Sequence, residues 1–175
     1  RDWLLNYRER SADLTLRFGA DRDEHIFHAP CDLEGWEVTL ADTGLKTQTG
    51  GRIHRLRQHV GQGTFMMTYG DGVADIDLDA LLAKHRASGR LATVTGLQPY
   101  SRFGIIERDA NGDAVRFQEK PRLQAYTSGG FFVLEPGVFD YLDDNCVFEQ
   151  EPLQRLAEDG QLSVYTHDGF WMSVD

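Results

Sequence analysis

Two apolar strands flank a helix in the middle of the chain, and this pattern constrains the fold more than any other feature. The run TFMMTY at residues 64–69 is typical of a buried strand, and LATVTGL at 91–97 of another. Residues 77–89 between them predict a helix that Gly89 ends. Its apolar face is formed by Leu78, Leu81, Leu82 and His85. A strand, a helix and a strand within about thirty residues predict the βαβ unit of a parallel sheet.

Further elements on either side extend this unit into a larger α/β fold. The sequence predicts additional helices at residues 2–11, 50–61, 137–144 and 148–160. It predicts additional strands at residues 13–19, 36–44, 128–136 and 161–175, with an irregular segment at 20–35. Asn111-Gly112 separates two alternating runs within residues 104–121, a strong signal for an antiparallel hairpin. We therefore predict a single domain over residues 1–175, with a mixed, mainly parallel sheet and an inserted antiparallel ribbon.

Charge and cysteine content restrict the partners of this domain. A formal net charge of −10 argues against nucleic-acid binding, which depends on lysine and arginine that neutralise phosphates. The chain has no apolar run long enough for a membrane span and no signal-like N-terminus. Cys31 and Cys146 have no CxxC spacing, which fits a reducing compartment. We therefore expect a cytoplasmic protein that binds neither membrane nor nucleic acid.

The segment TYGDGVADIDLD at residues 68–79 contains four aspartates, and its C-terminal half resembles a calcium loop. Asp75, Asp77 and Asp79 match the first, third and fifth positions of an EF-hand loop. The sixth position is Ala80 instead of glycine, and the twelfth is Arg86 instead of glutamate. A calcium loop is therefore excluded, and Asp77 or Asp79 is predicted to cap the following helix.

Asp71 has a different context from the other aspartates. It lies between two glycines at the carboxyl end of a predicted buried strand, where α/β sheets bind their ligands. Glycines at such a position allow a phosphate or a metal ion to approach the backbone closely. The spacing leaves two interpretations open, a metal ligand and an ordinary turn residue.

Two other segments could bind phosphate. DTGLKTQTGGR at residues 42–52 leads into a helix, so that its amides and Arg52 could hold an anion, although the same pattern occurs in ordinary turns. QEKP places Glu119 and Lys120 at the end of the ribbon, where they could equally form an exposed ion pair. The three phosphate-loop and nucleophile-elbow patterns GxGxxG, GxxxxGK[ST] and GxSxG are absent from the sequence.

HIFHAPC contains three residues with a spacing that could bind zinc. His25, His28 and Cys31 would need a fourth ligand, and no second cluster of cysteine and histidine supplies one. Loop histidines and a packed thiol are the simpler interpretation.

Six fragments in order resemble the sugar-phosphate nucleotidyltransferase family, and in particular its members that use CTP and glucose 1-phosphate. The fragments are WEVTLADTG, TGGRI, TYGDGVADIDL, FQEKP, SGGFFVLEP and GFWMSVD, and they extend over essentially all 175 residues. The resemblance implies a Rossmann-like nucleotidyltransferase core with an inserted sugar-binding ribbon. It also implies a homo-oligomeric enzyme that converts CTP and α-D-glucose 1-phosphate to CDP-glucose and pyrophosphate. CDP-glucose would then be a precursor of deoxysugars in surface polysaccharides such as O-antigen.

The same resemblance implies roles for individual residues. It implies that Asp71 and Asp175 are ligands of Mg²⁺. It implies that the nucleotide contacts Thr47, Arg52 and Gly70, and that Arg52 and Lys120 act in catalysis beside Asp71. It implies that the sugar phosphate contacts Glu119, Lys120, Ser128, Gly129 and Gly130.

The resemblance also implies segments that residues 1–175 do not contain. Family members begin with a strand and a GGxGTR-type loop, followed by a lysine-containing segment, which bind the base and the triphosphate. We therefore expect an internal fragment that lacks this segment and a C-terminal extension, and that is inactive alone.

Three alternatives stay open. A glycosyltransferase would use Asp75-Ile76-Asp77 as its DxD motif, a related enzyme would use another sugar or nucleotide, and a noncatalytic module would only bind a sugar nucleotide. The EKP motif and the aspartate that ends FWMSVD favour a nucleotidyltransferase.

Overall fold

The computed structural model describes residues 1–19, 22–28 and 35–174. Its contacts divide the chain into two compact units, Arg1–Asp42 and Thr43–Asp175. The first unit contains helices α1 (Asp2–Leu5) and α2 (Tyr7–Ser11) and strands β1 (Leu14–Arg17) and β2 (Glu24–Phe27). The two strands pair antiparallel, with Thr15 opposite Ile26.

The structure corrects three predictions for the first unit. The helix predicted at 2–11 is interrupted at Asn6, whose Nδ2 donates to Asp2 O at 2.9 Å. The segment predicted to be irregular contains β2, because β1 supplies its hydrogen-bond partners. The prediction of a strand at 36–44 is wrong, because no strand in the described part of the chain pairs with this segment. The alternating side chains of Trp36, Val38 and Leu40 are all exposed.

The second unit contains the larger set of elements. Its helices are α3 (Thr49–Arg55), α4 (Arg57–Val60), α5 (Leu78–Ser88), a 3-10 helix (Pro136–Tyr141) and α6 (Glu151–Glu158). Its strands are β3 (Phe65–Met67), β4 (Gly72–Ala74), β5 (Ala92–Leu97), β6 (Ile105–Arg108), β7 (Ala114–Gln118), β8 (Thr127–Leu134), β9 (Leu162–His167) and β10 (Trp171–Ser173). Among the described helices of the chain, none is both long and apolar enough to cross a membrane.

A mixed four-stranded sheet of order β3-β8-β5-β9 forms the centre of this unit. β8 pairs antiparallel with β3 and with β5, whereas β5 and β9 pair parallel. β3, β5 and β9 therefore run in the same direction, as the predicted βαβ unit requires. The mixed α/β sheet is confirmed, but β8 lies between the two strands that α5 connects, and only one of the three pairings is parallel.

Two smaller pairs of strands of the second unit form separate sheets. β6 and β7 form the predicted antiparallel ribbon, with Ile106 opposite Phe117 and with Gly112 in the left-handed region at φ 96°. β4 and β10 form a second antiparallel pair, with Ser173 opposite Gly72. The predicted strand at 161–175 is thus divided between β9 and β10.

The local sequence signals predict where helices end better than they predict whether a helix is continuous. Asp77 Oδ1 accepts a hydrogen bond from Ala80 N at 2.9 Å, and Gly89 ends α5 at φ 60°, so both predicted ends are confirmed. The helix predicted at 50–61 ends at Gly61 but is interrupted at Leu56. Leu56 N donates to Ile53 O at 3.0 Å, a three-residue spacing that tightens the turn and separates α3 from α4.

Helices cover both faces of the sheet. On one face the main core joins β5 and β8 to α3, the 3-10 helix and α6, and consists of Ile53, Ala92, Val94, Phe132, Leu134, Val138, Phe139, Leu142, Phe148 and Leu156. Side chains alternate between faces along a strand, so Thr93 points to the opposite face from Val94. There His85 of α5 contacts Thr93, which places α5 on that second face.

Candidate functional site

Asp71 lies just beyond the carboxyl end of β3, on the turn that leads into β4. Its backbone oxygen accepts a hydrogen bond from Val174 N at 2.8 Å, which continues the pairing between β4 and β10. Asp175, the other predicted metal ligand, lies outside the described residues. The pairing nevertheless connects Asp71 to the residue that precedes Asp175 in the sequence.

A cavity of about 250 Å³ opens beside Asp71. Its walls include Asp71, Tyr69, Ser128, Gly129, Gly130, Glu149 and Trp171. Gly130 is required by close packing, and Gly129 contributes its backbone carbonyl. A Cβ on Gly130, whose φ is 74°, would lie 2.6 Å from Tyr69 Cδ2, and Gly129 O accepts from Trp171 Nε1 at 2.9 Å. The structure thus brings together Asp71 and the predicted sugar-binding segment 128–130.

Glu149 connects this cavity to α3, and the sequence analysis missed it. Its Oε1 accepts a hydrogen bond from Tyr69 Oη, and its Oε2 accepts one from Thr49 Oγ1 at 2.7 Å. We call these three residues the Glu149 link. Burial, the hydrogen bond to Glu149 and the charges of Glu149 and Asp71 raise the pKa of Tyr69 well above its usual value. The phenol therefore stays protonated and donates. No local signal could have identified Glu149, because its partners are 80 and 100 positions away.

The glycines of TGGR at the start of α3 serve packing. A Cβ on Gly50 would lie 2.4 Å from Cys146 Sγ, and one on Gly51 would lie 2.3 Å from Asp144 O. Gly51 N also donates to Cys146 O at 3.2 Å. This amide is therefore already paired, which reduces the set of amides that could hold an anion at this helix end.

Arg52 and Thr47, the predicted nucleotide contacts, take part in hydrogen bonds between α3 and the loop that precedes it. Arg52 donates to Thr43 Oγ1 at 2.8 Å and to Leu45 O at 3.2 Å. Thr47 Oγ1 accepts from Arg55 Nη1 at 3.0 Å. Neither residue lines the cavity beside Asp71, and neither does Gly70, which is exposed. Their nucleotide contacts stay a prediction.

Glu119 and Lys120 lie at the foot of the ribbon and are mostly exposed, with Lys120 Nζ 4.0 Å from Glu119 Oε1. They are not part of the cavity wall beside Asp71. Lys120 has φ 44°, the only positive φ outside glycine among the described residues. A side chain rarely adopts this conformation, and such strain is concentrated at functional sites. The backbone conformation thus makes Lys120 a candidate functional residue, independently of its charge.

The two aspartates of the DxD alternative already have partners. Asp77 caps α5, and Asp75 Oδ1 lies 3.1 Å from His167 Nε2. The Asp75–His167 contact borders a second cavity of about 400 Å³ beyond the ends of β5 and β9, which also contains the Arg122–Asp168 ion pair. One carboxylate oxygen of each aspartate is thus already in contact with the protein.

The possible zinc ligands are not gathered in the described part of the chain. His28 Nε2 lies 2.7 Å from Thr15 Oγ1 across β1 and β2, and His25 Nδ1 lies 3.7 Å from Glu9. Cys31 lies outside the described residues. Among residues 1–19, 22–28 and 35–174, no three or more histidine, cysteine, aspartate or glutamate side chains form a group that could hold a metal ion.

Comparison with known sequences identifies the family of this chain. The family model described as "Nucleotidyl transferase" matches residues 36–174. A protein of Bacillus subtilis (strain 168) named "Probable glucose-1-phosphate cytidylyltransferase" is 42% identical over 177 residues, which cover 100% of this chain and 68% of that protein. The "Glucose-1-phosphate cytidylyltransferase" of Salmonella typhi is also 42% identical, over 178 residues with the same coverage.

Comparison with solved structures supports the fold. A putative glucose-1-phosphate thymidylyltransferase from Bacillus anthracis, solved with sucrose, superposes with a TM-score of 0.53 at 16% identity, over 73% of this chain and 56% of that one. HddC from Yersinia pseudotuberculosis gives a TM-score of 0.53 at 18% identity, with the same coverage. At these identities the likeness concerns the fold alone.

Proposed function

This chain belongs to the nucleotidyl transferase family, and on that premise we propose that the complete protein converts CTP and α-D-glucose 1-phosphate to CDP-glucose and pyrophosphate. The observation that carries this proposal is the 42% identity, over the whole chain, to proteins named as glucose-1-phosphate cytidylyltransferases. The cavity beside Asp71 supports it, because a small polar ligand would there meet a carboxylate, a serine and exposed backbone at the end of a sheet strand.

We propose Mg²⁺ as the cofactor, held by Asp71 and Asp175. Carboxylate oxygens are the protein ligands that Mg²⁺ prefers, and Asp71 presents one at the cavity wall. The hydrogen bond from Val174 to Asp71 supports the pairing of the two aspartates. When bound, the ion would neutralise phosphate charge, which a protein of net charge −10 cannot easily do with side chains alone.

The remaining residues would bind and orient the two substrates. In this proposal Thr47, Arg52 and Gly70 contact the nucleotide, Lys120 pairs with the sugar phosphate, and Glu119 with segment 128–130 contacts the sugar. A phosphate monoester has a second pKa of about 6, so the attacking oxygen is mostly deprotonated at pH 7. The site therefore needs no general base, and its side chains act by alignment and charge.

Pyrophosphate release tests this function. The complete protein is mixed with CTP, glucose 1-phosphate and magnesium, and pyrophosphate and CDP-glucose are measured. Replacing CTP by UTP, dTTP or GTP, and glucose 1-phosphate by mannose 1-phosphate, tests whether a related enzyme uses another nucleotide or sugar. A glycoside product would instead identify a glycosyltransferase, and binding without turnover would identify a noncatalytic module.

Asp71→Asn tests the role of the carboxylate. The amide keeps the shape but removes the charge that would hold the metal ion, so turnover should fall by about 100- to 1,000-fold, equivalent to about 3–4 kcal/mol. Asp79→Asn is the matched control, because Asp79 lies exposed in the first turn of α5 and should tolerate the change. Near-normal turnover of Asp71→Asn at saturating magnesium would remove Asp71 from the site.

We further propose a cytoplasmic homo-oligomer that supplies CDP-glucose for the deoxysugars of surface polysaccharide. A cytoplasmic site is supported by the two substrates, which are intracellular metabolites. An oligomer is supported by the ribbon, where Ile106, Val115 and Phe117 are more than 60% exposed. Sedimentation of the complete protein tests the oligomeric state.

A further inference from the structure

One carboxylate joins two segments that carry different parts of the proposed site. Glu149 binds Thr49, the first residue of α3, and Tyr69, which lies two residues before Asp71. The segment 47–52 around Thr49 is the proposed nucleotide segment, and 68–72 is the proposed metal segment. These segments belong to different elements, and Glu149 contacts both.

On the α3 side, the attachment involves more than one bond. Thr49 Oγ1 donates to Glu149 and also accepts from Phe148 N at 2.9 Å. Gly51 N donates to Cys146 O, and Gly50 leaves no room for a side chain beside Cys146. Segment 146–149 and the first turn of α3 are therefore held together at several points.

On the other side, the ring of Tyr69 has little freedom. It packs over Gly130, which has no side chain to displace it, and against Phe132 with ring centroids 6.2 Å apart. Its hydroxyl donates to Glu149. The packed ring and its hydrogen bond therefore connect Glu149 to the turn that carries Asp71.

We propose that Glu149 is a positioning residue that keeps Asp71 at a fixed separation from the nucleotide segment, a role that rests on the proposed function. The reaction requires the α-phosphate of the nucleotide and the attacking phosphate to be aligned, and a displacement of about 1 Å can cost about 100-fold in rate. Each segment alone would still bind its own ligand, so loss of the Glu149 link should lower kcat and leave the KM values almost unchanged.

The exposure of Glu149 separates this role from a structural one. Glu149 is exposed, so water can replace its hydrogen bonds when they are broken. The link should therefore add little to global stability, and its removal should shift the Tm by less than about 4 °C.

Glu149→Gln and Tyr69→Phe test the link in the complete protein. The amide can accept from only one of the two hydroxyls, and phenylalanine removes one of them. Each variant should lower kcat by about 10- to 100-fold, with KM for CTP and for glucose 1-phosphate within about twofold of wild type. The double variant should lose no more than the worse single variant, since both break one connection. Glu151→Gln, two residues along, is the matched control, because Glu151 pairs with Arg155 of its own helix.

A second pair of variants separates the hydroxyl of Thr49 from its bulk. Thr49→Val keeps the shape and removes the hydroxyl, and should lower kcat as Glu149→Gln does. Thr49→Ser keeps the hydroxyl and should retain most of the turnover that Thr49→Val loses. Equal losses in both variants would overturn the proposal, because the hydroxyl would then not be the feature that matters.

Amide hydrogen exchange gives a measurement that does not depend on activity. In Glu149→Gln, amides of 47–52 and 68–72 should exchange faster than in wild type, while those of β5 stay unchanged. Unchanged exchange in both segments, or normal kcat with a Tm lowered by more than about 4 °C, would overturn the positioning role. If wild type itself releases no pyrophosphate, the proposed function fails, and the exchange experiment still decides whether Glu149 holds the two segments together.

Discussion

Two glutamates accept hydrogen bonds from residues just before and just after strand β3, and their surroundings differ. At its end, Tyr69 donates to Glu149 in the Glu149 link. At its start, Thr64 Oγ1 donates to Glu135 Oε1 at 2.7 Å, and the same oxygen lies 3.1 Å from His85 Nε2. We call Thr64, Glu135 and His85 the Glu135 link. A carboxylate only accepts, so His85 Nε2 carries the proton in this contact.

Burial distinguishes the two links. The His85 side chain is 2% exposed and its Nδ1 lies 2.9 Å from the fully buried Thr93, so water cannot replace a lost partner there. Glu149, by contrast, is exposed at the mouth of the candidate site. Glu135 therefore attaches α5 to the sheet in buried surroundings. Glu149 makes the same kind of contact beside the candidate site, where solvent and substrate have access.

His85→Leu should give the largest change in stability and sharpen this contrast. Leucine fills the space but removes the buried hydrogen-bond partner of Thr93 and one of the two partners of Glu135, so the free energy of unfolding should fall by about 2–3 kcal/mol. Turnover well below the Tm should stay normal, the reverse of the pattern expected for Glu149→Gln. Urea unfolding and kcat, measured on both variants, check this. A His85→Leu protein that loses turnover but not stability would break the distinction between the two links.

Local signals explain which parts of the fold could be predicted. Asp77 and Gly89 mark the ends of α5, and Asn111-Gly112 marks the ribbon turn, because capping and turn formation depend on residues a few positions apart. β2 was missed and a strand at 36–44 was wrongly predicted, because a strand exists only with a hydrogen-bond partner that its own sequence does not specify. The insertion of β8 between β3 and β5 depends on such distant pairing too.

The candidate site divides in the same way. Asp71 and Ser128–Gly130 carry recognisable local motifs, and the structure places them around one cavity. The strained backbone of Lys120 has no sequence signal, since a lysine before proline normally adopts an extended conformation. Glu149 depends on contacts with residues 80 and 100 positions away, which only the folded chain reveals.

Lys120→Gly should show that the backbone is strained at Lys120, beside the candidate site, and is not strained in α5. Glycine adopts φ 44° without penalty, so the free energy of unfolding should rise by up to about 1 kcal/mol, although turnover falls with the loss of the ammonium group. Lys84→Gly is the matched control in α5, the helix that carries His85. There glycine should lower the free energy of unfolding by about 1 kcal/mol. Equal destabilisation in both variants, by thermal unfolding, would show that Lys120 is not strained.

The smallest expected effect is a difference in the pH range over which each link contributes stability. The hydrogen bond from Thr64, followed by the contact with His85, lowers the pKa of Glu135 below its usual 4.5. Its contribution is therefore fully present above about pH 4.5 and is lost as the pH falls through the lower, folded value. Burial and the Glu149 contact raise the pKa of Tyr69 above its usual 10.0. That contribution is present below about pH 10 and is lost as the pH rises further.

Glu135→Gln and Tyr69→Phe allow the two ranges to be separated, because each variant removes one titrating group. Urea midpoints measured near pH 4, 7 and 10.5 should show that Glu135→Gln reduces only the acid loss of stability, and that Tyr69→Phe reduces only the alkaline loss. Other groups titrate in both ranges, so the quantity that matters is the difference between each variant and wild type. Parallel curves for wild type and Tyr69→Phe up to pH 10.5 would mean that the phenol ionises equally in the folded and unfolded chain. The Tyr69 hydrogen bond to Glu149 would then not be held as tightly as a positioning contact requires.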